Sequence, residues 1–345
     1  MTLIKQHFRF VPVIAAIVFA ASAAIFGQTE FRPLPSDPTT PAILFGPEHS
    51  ERMFRRDETS ERSIKVDPNV NISLCVGEGN LKVNSWNRSE VRIFVADGSK
   101  FSIRVQLKGP KSGEPALITA VSESDGKSKP GSWSECLHGE EIEIDAPTGT
   151  VLNLKGQETA TTVDGIRRVN IRNAGGDISV RNVSEGVNAV TYNGDLTVER
   201  SSGPMSLEAT RGNVLAFDVG PSEIGDLFKA KTTSGAIAVQ KLQFRQTEIN
   251  SISGTVAFNG AIQNGGTYSF STSNGSIRLT LPTDSACMVA ASYGGDFASE
   301  FPLKILTENL KGGWVKSITA SIGDGNNTML RVTTNNGTIS INKQK

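Results

Sequence analysis

The stretch Val187-Asn188-Ala189-Val190-Thr191-Tyr192-Asn193-Gly194-Asp195-Leu196-Thr197-Val198 holds a five-residue alternating segment, an Asn-Gly turn and a second alternating segment. Alternation with period two puts Leu196 and Val198 on one face of a strand and Thr197 on the other. Glycine after Asn supplies a backbone turn at no steric cost. The same unit recurs at Gly176, Gly194, Gly212, Gly235, Gly254, Gly275, Gly295 and Gly337. Two residues after these glycines stand Ile178, Leu196, Val214, Ile237, Val256, Ile277, Phe297 and Ile339, all apolar. Four residues after them stand Val180, Val198, Ala216, Val239, Phe258, Leu279, Ser299 and Ile341, with Ser299 the one polar member. Spacings of 18, 18, 23, 19, 21 and 20 residues up to Gly295 fall at the short end of the range that marks repeat architectures.

Two short strands cannot bury an apolar face alone, so the units must stack. The pattern predicts an all-β fold, a single-stranded β-helix or β-solenoid, with coils about 4.8 Å apart. Three residues before the glycines come Asn173, Thr191, Ala209, Thr232, Ser251, Thr272, Ser292 and Thr334, nearly all small and polar. Side chains of this kind satisfy neighbouring backbone groups at turns. The alternative geometry is a set of two-residue hairpins closing into a sandwich. Side-chain identities kept in register over so many units favour the solenoid.

The remaining chain divides by composition. Lys5 and Arg9 precede an apolar run from Val11 to Phe26, and Ala21-Ser22-Ala23 is a small-x-small cleavage site, with Gly27 an alternative. Residues 1–27 therefore read as a secretory signal peptide, the alternative being an uncleaved anchor. Residues 28–62, with Pro33, Pro35, Pro38, Pro41 and Pro47, read as a linker. Residues 63–145 alternate more loosely and read as an N-terminal β cap over the open end of the stack. The solenoid proper is expected over 146–345.

Composition limits function. Removing Lys5 and Arg9 leaves 33 basic against 35 acidic residues, a net charge of −2, which gives no electrostatic footprint for nucleic acid or an anionic membrane surface. No later segment is apolar enough to span a membrane. Cys75 and Cys136 both fall in the cap, where a disulfide suits an oxidising compartment. Cys287 reads as a buried thiol. No Cys or His spacing points to a metal or another cofactor. His138 follows Cys136 by two, the spacing that would put a nucleophile and a base on one side of a strand, but a turn histidine beside Gly139 is the simpler reading.

One acidic pair stands out. Asp177 and Asp195 hold equivalent places on consecutive coils, so their carboxylates could lie about 5 Å apart and hold Ca²⁺ or act as an acid pair, with Arg172 or Arg181 nearby. Against this, Asp after a turn glycine is ordinary turn chemistry. Tyr192 and Tyr293 share the position two before a glycine and could stack on sugar rings.

The segments Gly79-Asn80-Leu81-Lys82-Val83-Asn84-Ser85-Trp86, Glu90-Val91-Arg92-Ile93 and Ile144-Asp145-Ala146-Pro147-Thr148-Gly149 resemble a family of bacterial exported adhesin-like proteins of unknown function. So do Ser273 to Pro282 and the closing stretch Thr333 to Ile341. The resemblance covers about residues 63–345 and implies an envelope β-solenoid without family catalytic residues. The expectation is a non-enzymatic exported module, periplasmic, cell-surface or extracellular, that binds an envelope or surface partner, protein or glycan, or serves a structural role. A lyase or hydrolase on the same scaffold, or an envelope-stress sensor, are the alternatives.

Overall fold

The computed structural model describes residues 59–107, 115–123, 133–310, 315–325 and 327–345. The signal-like segment, and the proline-rich stretch up to residue 58, lie outside them. The first strands are β1 (Ser60–Lys65), β2 (Asn71–Trp86), β3 (Glu90–Ala96), β4 (Phe101–Leu107), β5 (Pro115–Ser122), β6 (Leu137–Pro147) and β7 (Val151–Asp164). The repeat follows as β8 (Arg168–Gly175), β9 (Ile178–Arg181), β10 (Val187–Asn193), β11 (Leu196–Glu199), β12 (Met205–Arg211) and β13 (Val214–Val219). It continues through β14 (Leu227–Ser234), β15 (Ile237–Leu242), β16 (Gln246–Ser253), β17 (Val256–Asn259), β18 (Thr267–Asn274) and β19 (Ile277–Leu281). The chain closes with β20 (Cys287–Tyr293), β21 (Phe297–Ser299), β22 (Leu303–Asn309), β23 (Lys316–Ile322), β24 (Met329–Asn336) and β25 (Ile339–Lys343).

Each coil contributes one strand to a first sheet, turns at its glycine, and contributes one strand to a second sheet. Neighbouring coils pair in parallel without slippage: Ala189 lies beside Ile171 and Leu207, and Leu196 beside Ile178 and Val214. The parallel ladders rule out the hairpin sandwich. Inward residues of both sheets form one core, in which Ile237, Val239, Val256, Phe258, Ile277 and Leu279 are buried. Phe258 meets both Tyr268 and Phe270, and Phe228 meets Phe244, so aromatic rings fill the longer coils.

The turn corner explains the glycines. A Cβ on Gly254 would stand 2.6 Å from the carbonyl carbon of Gly235 on the preceding coil, and closer still to its oxygen. The small polar residues three before the glycines point inward and donate to that carbonyl row: Thr232 to Gly212 at 2.9 Å, Thr272 to Gly254 at 3.0 Å and Thr334 to Gly275 at 2.8 Å. Buried carbonyls left over by the turn thus gain a partner, as buried polar groups require.

Parallel stacking begins early, because β2 and β7 each run through the corner and pair with one another from Asn71↔Val151 to Asn84↔Asp164. Beyond β2 the first sheet adds β5 and then antiparallel β4; the second adds β6, then antiparallel β3 and β1. At the other end, chain order and stack order part. β24 and β25 insert between the β18–β19 coil and the β20–β21 coil, so the last coil in sequence is not the last in the stack. The antiparallel strands β23 and β22 extend the first sheet beyond β20.

The insertion corrects one reading of the pattern. Tyr293 pairs with Thr334 while Phe297 pairs with Ile339, so the Gly295 corner is one residue shorter than the Gly337 corner. Tyr293 therefore takes the inward place that hydroxyls fill elsewhere and is buried, whereas Tyr192 is half exposed. The two tyrosines do not occupy equivalent positions.

Candidate functional site

Asp177 and Asp195 lie on the outside of the turn corner, and their carboxylates face along the stack. Asp177 Oδ1 accepts the Asp195 amide at 2.8 Å, Asp195 Oδ1 accepts the Asn213 amide at 2.7 Å, and Asn213 Oδ1 accepts the Ala236 amide at 2.9 Å. The Asn213 amide nitrogen also reaches both Asp195 oxygens at 3.2 Å. This is a relay of side chains that hold the next coil's backbone. Arg181 pairs with Asp164 at 3.4 Å rather than with either aspartate, and Arg172 lies on the face of the first sheet. No group of three or more His, Cys, Asp or Glu side chains suited to a metal occurs among the described residues.

Cys75 and Cys136 are joined as a disulfide with Cα atoms 4.5 Å apart, tying β2 to the residue before β6. His138 is exposed, and its backbone exchanges hydrogen bonds with Ser99, the amide donating to Ser99 Oγ at 3.1 Å and the carbonyl accepting from the Ser99 amide at 2.8 Å. With Cys136 sulfur committed, that pair offers no nucleophile. Cys287 is free and buried, and burial pushes its thiol up to about 11. A thiol held neutral is a core side chain rather than a reactive one.

Surface hollows of ligand-sized dimensions lie on the solvent face of the first sheet, and another of about 340 Å³ lies beside Met288, Asp324 and Thr328. Two adjoining hollows of about 340 and 390 Å³ share Asn170 and Asn188. Perfect register produces their floor: Ser73, Asn153, Asn170, Asn188, Ser206 and Lys229 fall in one row across β2, β7, β8, β10, β12 and β14. Asn170 Nδ2 donates to Asn153 Oδ1 at 3.0 Å. The row is a ladder of amides and hydroxyls with capacity to donate and accept outward.

The charges around this row are unequally matched. Glu185 is shared by Arg167 at 3.5 Å and Arg168 at 3.8 Å, and Lys229 meets Glu248 at 3.5 Å. Lys155 and Arg172 lie directly opposite each other on β7 and β8, both exposed. Neither has an anionic partner among the described residues. Like charges in that relation cost stability in a sheet. Lys155 Nζ sits 4.1 Å over the Trp133 ring, which is 40% exposed, so an aromatic face stands beside the cations. Among the described residues the one acid lining either hollow of this face, Glu185, is already engaged. The face therefore offers hydrogen bonds, positive charge and an aromatic platform.

Sequence periodicity placed the residues of this row outward but could not single them out. They are dispersed over 157 positions between Ser73 and Lys229, and only the register of the coils assembles them. The like-charged pair had a usable signal, since Lys155 and Arg172 each occupy an outward strand position.

The Toastrack DUF4097 family model matches residues 48–342. Among curated proteins there is no match. Two solved structures are similar at 11% identity and over 83% of this chain. One is a "putative cell adhesion protein" from Clostridium sporogenes ATCC 15579, covered over 100% of its length with a TM-score of 0.27. The other is a "putative adhesin" from Bacteroides fragilis NCTC 9343, covered over 97% with a TM-score of 0.37.

Proposed function

Because the chain belongs to the Toastrack DUF4097 family, whose matched region takes in the whole stack, we propose that its function lies on the face of that stack. It is read here as a non-enzymatic, exported binding module of the cell envelope, adhesin-like in the sense that it holds an extended ligand. The single observation that carries this reading is the uncompensated Lys155 and Arg172 pair beside the amide row and Trp133. The ligand chemistry that fits is an acidic polysaccharide. Carboxylates neutralise the paired cations, hydroxyls exchange hydrogen bonds with Asn153, Asn170 and Asn188, and a sugar ring stacks on the indole.

Export is supported by the Cys75–Cys136 bond, which belongs to an oxidising compartment, and by the charged and apolar pattern of residues 1–27. Residues 28–62 would serve as the tether, 63–145 as the cap and 146–345 as the main stack. Among the described residues no helix is long and apolar enough to cross a membrane.

Calorimetry with a short oligouronate and a neutral oligoglucan of equal length tests the reading. The oligouronate is expected to bind and the neutral chain not. Arg172→Ser or Lys155→Ser should each weaken binding about tenfold, the equivalent of about 1.4 kcal/mol, with the circular dichroism spectrum unchanged. Mass spectrometry of the ligand after incubation should show no shortening. Equal affinity for both ligands, variants that bind like the parent, or cleavage would each reject the assignment.

A further inference from the structure

The two sheets end differently. In the second sheet, the outer strand at one end, β1, carries Glu61, Arg62 and Lys65, and the outer strand at the other, β21, is only three residues long. Charge and shortness are the usual protections of an open edge. The outer strands of the first sheet carry charge as well, Arg104 on β4 and Lys304 and Glu308 on β22, but they are not short. Both are seven residues long, and each is paired on one side only among the described residues.

Both edges carry exposed aliphatic side chains: Val105 and Leu107 on β4, Ile305 and Leu306 on β22, all near half exposure. Val105 pairs with Ile118, and Ile305 with Ala320, both partners being buried. Val105 and Ile305 therefore point to the core side of the sheet, yet each stays about half exposed at the edge, with nothing among the described residues to cover it.

Strand direction selects the partner. β5 runs with the stacked strands and β4 against them. At the far end β20 runs with the stack, β23 against it and β22 with it again. A second copy moved along the stack axis brings its β4 antiparallel to the first copy's β22. One register then sets Val105 opposite Ile305 and Leu107 opposite Leu303, all on the core-facing side. Pairing of this kind satisfies the free backbone groups of both edges and covers both ledges at once.

From these edges we propose that the protein assembles head to tail, β22 of one copy joining β4 of the next, so that the first sheet continues from molecule to molecule. Such a heterologous contact has no closing two-fold and adds copies in one direction. The proposal is independent of the ligand on the sheet face.

Cross-linking separates this arrangement from the others. Val105→Cys and Ile305→Cys proteins, distinguishable by mass, are mixed in equal amounts and oxidised mildly; the native disulfide and the buried Cys287 stay out of the reaction. Linked species are expected between unlike chains only. The chain carrying both substitutions should give a ladder extending beyond two copies. Linkage of like chains, or none, would overturn the proposal. Because cysteine at an edge could disturb the strand, the unsubstituted protein is also followed by sedimentation. Its average mass should rise with concentration past that of a dimer, and Ile305→Lys should return it to the mass of one chain. A single-chain mass at every concentration, or a mass that levels off at two copies, would overturn it as well.

Discussion

Replacing Gly254 by alanine tests whether the glycine row is demanded by stacking or only by turn geometry. The backbone there has φ of +155°, a region essentially reserved for glycine, which costs of order 1–3 kcal/mol for any other residue. Space adds a second cost, because the new methyl would stand 2.6 Å from the Gly235 carbonyl carbon on the preceding coil. Relief requires the corner to open, and three hydrogen bonds cross it. The Gly235 amide donates to the Ser253 carbonyl at 3.0 Å, the Ile237 amide to the Thr255 carbonyl at 2.9 Å, and the Ser251 hydroxyl to the Gly235 carbonyl at 3.2 Å. At about 0.5–1.5 kcal/mol net for each bond weakened, the total expected loss is about 4 kcal/mol. Gly225 is the control: φ there is +103°, but a Cβ would meet nothing within 4 Å. Gly225→Ala should therefore cost the backbone strain alone, about 1–2 kcal/mol. Urea unfolding followed by circular dichroism compares the two. Amide exchange supplies a local readout, since coils of a stack open partly on their own; the Gly235 and Ile237 amides should exchange faster in Gly254→Ala. Losses for the two variants that agree within about 0.5 kcal/mol would refute the stacking argument, leaving turn strain as the whole role of the row.

Three further outcomes follow from buried groups. Tyr268 donates to the Phe244 carbonyl at 2.8 Å and accepts the Gln263 amide at 2.6 Å, so Tyr268→Phe should cost about 1–3 kcal/mol in chemical unfolding; a neutral result would mean that water replaces the hydroxyl. Burial raises the Cys287 thiol from 9.0 to about 11, so the folded state keeps a proton that the unfolded chain releases, and stability should fall by about 2 kcal/mol as pH rises from 9 to 11. Comparison with Cys287→Ala isolates this slope from other groups titrating there, and identical slopes would contradict it. Removing the Cys75–Cys136 bond, which spans 61 positions, as Cys75→Ala with Cys136→Ala should cost about 4 kcal/mol by loop entropy, measured as a shift of the urea midpoint at constant slope.

The solenoid was legible because its rules are local and repeated: glycine, apolar, apolar, with a small polar residue three before. Each of those positions has a direct physical cause in the corner or the core. The cap boundary and the stack order were less legible for a reason that is also physical. Parallel pairing fixes which residues lie side by side but not which coil comes next, so nothing local to Gly337 says that its coil slides in beneath Gly295. The misplacement of Tyr293 follows from the same limit, since a corner shortened by one residue changes which side chain faces inward while leaving the apolar spacing after the glycine intact. The aspartates at 177 and 195 were visible as a pair, but their partners are backbone amides of the next coil, and amides leave no mark in a sequence pattern.

The amide row belongs to a different category, because a ladder in strict register converts unremarkable residues into a repeated surface. Coils advance by about 4.8 Å, so Asn153, Asn170 and Asn188 present the same group at nearly equal intervals, a spacing close to that of successive units in an extended sugar chain. Each neutral hydrogen bond to such a ligand is worth about 0.5–1.5 kcal/mol, too little for one contact to hold it. The stack changes that balance through preorganisation: side chains fixed on rigid strands lose little entropy on binding, so weak contacts made along one row sum rather than compete. The Gly254 corner joins the β14 and β16 coils, so a methyl group there would open the interval between Lys229 and Glu248 and leave the intervals between the asparagines of β7, β8 and β10 in place. On the head-to-tail arrangement proposed above, the first sheet, and the face that bears the row, continue into the next molecule, and a long acidic chain could engage several copies at once. Polymer length then becomes a source of affinity through effective concentration, and a ligand held weakly by one copy is held firmly by the assembly.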